Sequence, residues 1–277
     1  MSPDQLILTI AIVVGGILIG RPLWKAQQRR KLRSRPLPQE WRGIIERFIP
    51  LYAYMPANPR TRLNGLVHQF LAEKQFVGCG GLKITLEMKI AVAAQACLLV
   101  SGLNMDLYEN LHSILLYPAT FIAPQEEHNE AGVVTQHQEA LTGQAWGTHK
   151  IILSWEDVAM GVRKRGSGYN VTLHEFAHCL DAQDGCWSKI MQEEYERLRA
   201  AADRNEETLL DPYGTEAPAE FFAVATESFF EQPAELKQRH PALYSELMRY
   251  YLLDPALWIG PPSMSDIREN EPQEPLV

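Results

Sequence analysis

Residues 174–178 read His-Glu-Phe-Ala-His, and no other segment restricts the fold as much. Two imidazoles four residues apart face the same way on a helix, where positions i and i+4 share one face. His174 and His178 can then point at one ion. Glu175, one position along, reaches a water beside that ion. Asn170 and Thr172 are candidate caps for this helix.

Two histidines are too few for a catalytic zinc, which takes three protein ligands and keeps one place for water. A third histidine six residues on is excluded, because position 184 is Asp. The third donor is therefore expected to be a carboxylate from a distant helix. Residues 218–236, PAEFFAVATESFFEQPAEL, offer two, Glu220 and Glu227. They lie seven apart, about two helical turns, and share a face. Phe221, Phe222, Val224, Ala225, Phe229 and Phe230 should bury this helix. A carboxylate on so apolar a helix needs a partner, and a metal or a metal-bound histidine supplies one. Asp181 falls on the face of the two histidines and either supports them or caps the helix end. His137 and His149 lie in a strand-like region and read as surface residues.

At 277 residues the chain can hold one sizeable domain with appendages. Its formal net charge of −8 argues against general nucleic-acid binding. The four cysteines, Cys79, Cys97, Cys179 and Cys186, form no C-x-x-C pair. A thiolate zinc site is thus disfavoured, and all four read as reduced thiols. Residues 5–20 carry no charge, and Lys25, Arg29, Arg30, Lys31, Arg33 and Arg35 follow them. No Lys or Arg precedes the apolar run and no small-x-small cleavage site follows it, so residues 1–24 read as an uncleaved membrane anchor. The basic flank predicts a single-pass protein of the inner, cytoplasmic membrane with its catalytic domain in the cytoplasm. Residues 25–40 then read as a linker, 41–259 as the main domain and 260–277 as a disordered, acidic, Pro-rich tail.

Within the main domain, residues 41–77 look helical with a break at residues 56–59, and residues 78–81 end that helix. Residues 88–103 are apolar on most faces and predict a buried helix. Residues 113–155 alternate β-formers with turn residues, predicting three or four strands. KIILSW within them is read as an edge strand that pairs with a substrate backbone. Helical signals return near Val171 and run to about Leu253. The pattern is α+β, mostly helical with a small β-sheet.

HEFAHCLD followed by PYGTEAPAEFFAVATESFFEQP resembles the Mlc titration factor A (MtfA) family of zinc peptidases. The similarity runs over roughly residues 40–258 and includes SILLYPATFI, GQAWGTHKIILSW and YYLLDP. The same layout occurs in the catalytic domain of anthrax lethal factor. The resemblance implies a zincin-like metallopeptidase domain with Zn2+ as its cofactor. It implies His174, His178 and Glu220 as metal ligands and Glu175 as general base. Tyr213, seven residues before Glu220, takes the place of the family's catalytic tyrosine. Glu227 is then left to hold a histidine N–H or another polar group. The resemblance further implies aminopeptidase-type activity on peptide substrates and binding of a transcriptional repressor of the Mlc type. The N-terminal apolar run and basic stretch stand outside the family's soluble enterobacterial members. The competing reading is a membrane-tethered, protein-binding regulator that titrates a repressor with little proteolysis. A place left open beside Glu175 weighs against it, because a structural zinc is closed by four protein ligands.

Overall fold

The computed structural model describes Pro3 to Trp258 apart from residues 104–107, 120, 129–133, 142, 147–148, 165 and 185–187; for residues 3, 6–19, 121–128, 134–141, 143–146 and 182–184 it describes the backbone alone. The acidic tail, Cys186 and the His137 side chain fall outside the described residues. In chain order the elements are α1 Pro3–Arg33, α2 Gln39–Phe48, α3 Ala57–Glu73, β1 Gln75–Gly78, α4 Leu86–Leu99, β2 Ser113–Tyr117, β3 Phe121–His128, β4 Val134–Leu141, β5 Gly143–Trp146, β6 Lys150–Ser154, α5 Trp155–Arg163, α6 Val171–Asp184, α7 Lys189–Asp203, α8 Pro218–Glu231, α9 Pro233–Arg239 and α10 Pro241–Tyr251. The protein is mostly helical with a small sheet, the α+β arrangement the sequence predicts.

α4 is the centre of the core. Every residue from Ile90 to Leu99 is buried, so the helix has no polar face. Thr85 starts it by accepting the Met88 N–H at 3.2 Å. α2, α3 and α6 pack around it. Cys97 is buried there, and Cys79, Cys97 and Cys179 are free thiols.

The main sheet has the order β1-β2-β6-β5, and β3 and β4 form a separate antiparallel hairpin. β1, β2 and β6 are parallel, and β5 runs antiparallel to β6. Ile114 stands opposite Ile151 and Leu116 opposite Leu153, all four buried. KIILSW is therefore an inner strand, paired on both sides; the edge beyond it is β5. Residues 113–154 hold five strands, one more than the upper sequence expectation. A further strand, β1, forms where the sequence reads as a helix end. Pairing with β2 overrides the local signal there. Gly78 closes β1 because a Cβ would lie 2.0 Å from the Leu82 carbonyl oxygen.

The N-terminal expectation is corrected. Among the described residues no helix is long and apolar enough to cross a membrane. The uncharged run of α1 would span only about 24 Å against the roughly 30 Å of a bilayer core. The helix then continues through the cations to Arg33. Its basic end docks on α3: Arg29 forks onto Glu73 at 2.8 and 3.1 Å, and Arg33 Nε donates to Gln69 at 2.6 Å. Lys25 pairs with Glu109. Gly65 permits this contact, since a Cβ would meet the Arg33 carbonyl oxygen at 2.6 Å. The single-pass membrane location inferred from the anchor is withdrawn with it.

Candidate metal centre

The site lies between α6 and α8. α6 buries Leu173, Phe176, Ala177 and Leu180, spaced i, i+3, i+4 and i+7. Phe176 packs its ring against Phe70 at 5.9 Å and Tyr108 at 5.3 Å. That leaves His174 and His178 facing α8. Asn170 caps the helix by accepting the Leu173 N–H at 3.1 Å, while its own amide donates to Glu231 at 2.7 Å. α8 buries its phenylalanines and turns Glu220 and Glu227 toward the histidines.

His174 stands between the two carboxylates. Its Nε2 is 3.0 Å from Glu220 Oε2, and its Nδ1 is 2.8 Å from Glu227 Oε1. His178 Nε2 is 3.4 Å from Glu220 Oε1. Glu227 is 4 % exposed and also accepts the Asn170 backbone N–H. These two donors are what a buried carboxylate on an apolar helix requires.

Donor atoms of His174, His178 and Glu220 all lie within 4.8 Å of one another. Ligands about 2.1 Å from a tetrahedral zinc stand about 3.4 Å apart, so the spacings suit such an ion. Two imidazoles and a carboxylate also fit a divalent metal chemically, and three donors leave a place open. Glu227 on Nδ1 adds the outer support that metal-binding histidines commonly have.

The electrostatics follow from this packing. Burial opposes a charge on His174, but the hydrogen bonds to Glu220 and Glu227 outweigh it and push the imidazole up to about 10. Glu220 is opposed by burial too, yet its bonds to both histidines pull it down to about 2. Burial pushes Glu175 up to about 7. Glu175 is 4 % exposed and its Oε2 is buried without a hydrogen-bond partner among the described residues.

A cavity of about 290 Å³ opens beside these groups, lined by Tyr169, His174, Glu175, Asp211, Tyr213 and Glu227, with Val171 and Val224 as apolar walls. Tyr213 lies in a 3₁₀ turn, Pro212–Thr215, which Asp211 caps by accepting the Tyr213 N–H at 2.9 Å. Gly214 lets this turn press on α8, since a Cβ there would meet Leu198 Cδ2 at 3.2 Å and Phe221 Cα at 3.4 Å. The Tyr213 ring is 48 % exposed, 6.0 Å from the His174 ring.

The structure thus brings together His174, Glu175, His178, Tyr213, Glu220 and Glu227. Asp181 is half-buried in the last turn of α6. His149 is exposed, its Nδ1 2.9 Å from the Asn110 carbonyl and its ring beside His112, outside the three-donor group. Sequence reasoning overlooked Tyr169 and Asp211 as lining residues. For Asp211 the signal was available: Asp before Pro marks the start of a helical turn, and that turn carries Tyr213.

A family model described as glucose-regulated metallo-peptidase M90 matches residues 23–252. An uncharacterized protein of Synechocystis is 35 % identical over 93 % of this chain and 99 % of its own length. Mlc titration factor A of Yersinia pestis is 30 % identical over 84 % of this chain and 90 % of its own length. The same protein from Yersinia pseudotuberculosis matches equally well.

Proposed function

Because the chain belongs to the Mlc titration factor A family of M90 metallopeptidases, we propose that it is a zinc-dependent peptidase acting through His174, His178, Glu220 and Glu175. The observation that carries this reading is the three-donor group beside a buried carboxylate whose Oε2 has no partner among the described residues.

His174, His178 and Glu220 would hold a zinc ion, which would supply Lewis acidity toward a peptide carbonyl and toward water. Glu175 takes the proton of the attacking water and passes it to the leaving amine. Among the described residues no donor competes for its Oε2. Glu227 fixes the His174 ring through Nδ1, keeping Nε2 directed at the ion. Tyr213, at the cavity rim, donates its hydroxyl to the oxyanion. Val171 and Val224 exclude bulk water from one side. β5 ends the sheet beside α6, so the substrate backbone pairs along its outer edge. Hydrolysis at the amino end of small peptides is the finer form of this reading.

Digesting a peptide library with wild type and Glu175→Gln, with and without a chelator, tests it. Cleavage that needs both the metal and Glu175 supports it. Equal cleavage by the variant sinks the mechanism.

A second reading rests on the relatives named Mlc titration factor A: this chain binds a repressor of the Mlc type. An equilibrium titration against such a repressor decides it, and absence of binding at micromolar concentrations removes it.

A further inference from the structure

The start of α6 separates two cavities. Tyr169 and Val171 line the one at the metal centre, whereas Asn170 and Leu173 line a second, of about 170 Å³. Phe48, Leu98 and Phe230 give the second cavity apolar walls, so α2, α4, α6 and α8 all border it. Gln95 lines it too. This amide interrupts the apolar run Ile90–Leu99 of α4 and is 2 % exposed. Its Nε2 donates to the Ala91 carbonyl at 3.1 Å. A carbonyl only accepts, so the oxygen end of the amide is turned away from Ala91. That Oε1 accepts from no group among the described residues, yet it is not one of the fully enclosed unpaired atoms. The space it borders is the cavity. A buried acceptor is costly unless a donor reaches it. Asn170 cannot serve, because its Nδ2 already donates to Glu231 at 2.7 Å.

We propose that this cavity is an effector site for a small neutral molecule, about one ring in size, that donates one O–H or N–H to Gln95 Oε1. The size follows from the volume, since apolar cavities of about 150 Å³ take up one benzene. Neutrality follows from the surroundings. Glu231 at the edge repels an anion, and the apolar walls make a buried ammonium costly. The effector role follows from the wall shared with the metal centre. Asn170 caps α6 through the Leu173 N–H at 3.1 Å, and its own backbone N–H donates to Glu227. Glu227 in turn stands 2.8 Å from His174 Nδ1. A molecule packed against Leu173 and Phe230 touches both helices that carry the donor groups and holds their spacing. The proposal needs the metal centre but not peptide cleavage, so it stands or falls separately from the peptidase reading.

Phenol, toluene and benzoate serve as probes on the full chain, loaded with zinc. Phenol and toluene match in size and differ in the donor, and benzoate adds a negative charge. Calorimetry should show phenol binding at about millimolar or tighter, and benzoate more weakly than phenol. Gln95→Met keeps the bulk of the side chain and removes the acceptor. The variant's affinity ratio of phenol to toluene should fall about tenfold. Nuclear Overhauser contacts from phenol to the Leu98 and Leu173 methyl groups in wild type locate the ligand without any variant. No phenol binding, binding elsewhere, benzoate bound as tightly as phenol, or an unchanged ratio in Gln95→Met overturns the site. Competition with a chromophoric chelator then reads the effector role. Saturating phenol should tighten zinc binding about fivefold. Unchanged or weaker zinc affinity with the cavity filled overturns that role.

Discussion

Glu227 Oε1 stands 2.8 Å from Nδ1 of His174, on the opposite side of the ring from Glu220. This contact fixes which nitrogen carries the proton and which is offered to an ion. Replacing Glu227 with Gln leaves one oxygen for two donors, the imidazole and the Asn170 N–H. Zinc affinity should fall about 10- to 100-fold in the variant, read by competition with a chromophoric chelator. Affinity equal to wild type would reduce Glu227 to a structural residue.

Glu175→Gln keeps the size of the side chain and removes the base. Bound zinc per chain should stay at the wild-type level while turnover falls at least about 100-fold. Metal content and initial rates on one preparation check both halves. Loss of zinc together with activity would assign Glu175 to metal binding instead.

Metal binding should release protons in alkaline solution. Without an ion His174, held up to about 10, is protonated at pH 8, and a zinc ligand must be neutral. Calorimetry in buffers of different ionisation enthalpy should give about one proton released per zinc at pH 8, falling toward zero above pH 10. The same groups shape the metal-free protein. The raised His174 contributes stability that is complete below its unfolded value near 6.5 and is lost as pH rises through about 10. Glu220, pulled down to about 2, contributes stability above its unfolded value near 4.5 that is lost toward pH 2. Metal-free protein that becomes more stable between pH 7 and 10 would contradict this pairing.

Asn170→Ala removes the cap of α6 and the bond to Glu231. The cost should be about 1–2 kcal/mol, a drop in Tm of several degrees by calorimetry. The backbone N–H still reaches Glu227, so zinc stoichiometry should be retained.

Much of this arrangement was legible from residue spacing. The i, i+4 histidines and the i, i+7 glutamates define two helical faces, and those faces meet in the structure. α4 could be read as buried because no face of it is polar. What could not be read depends on tertiary pairing. QFVG becomes a strand only because β2 lies alongside, and KIILS is an inner strand only because β5 covers it. The apolar N-terminus misled because hydropathy alone does not register that its helix ends in cations docked on α3. Asp211 reaches the site through a turn whose position depends on the close approach of Gly214 to α8.

The most direct test of the central claim is a titration of zinc into metal-free protein with peptide cleavage recorded at each addition. Activity should rise from background in step with bound zinc and level off at one equivalent per chain. Full cleavage before any zinc is added, or none with one equivalent bound, would contradict a hydrolytic metal centre at His174, His178 and Glu220.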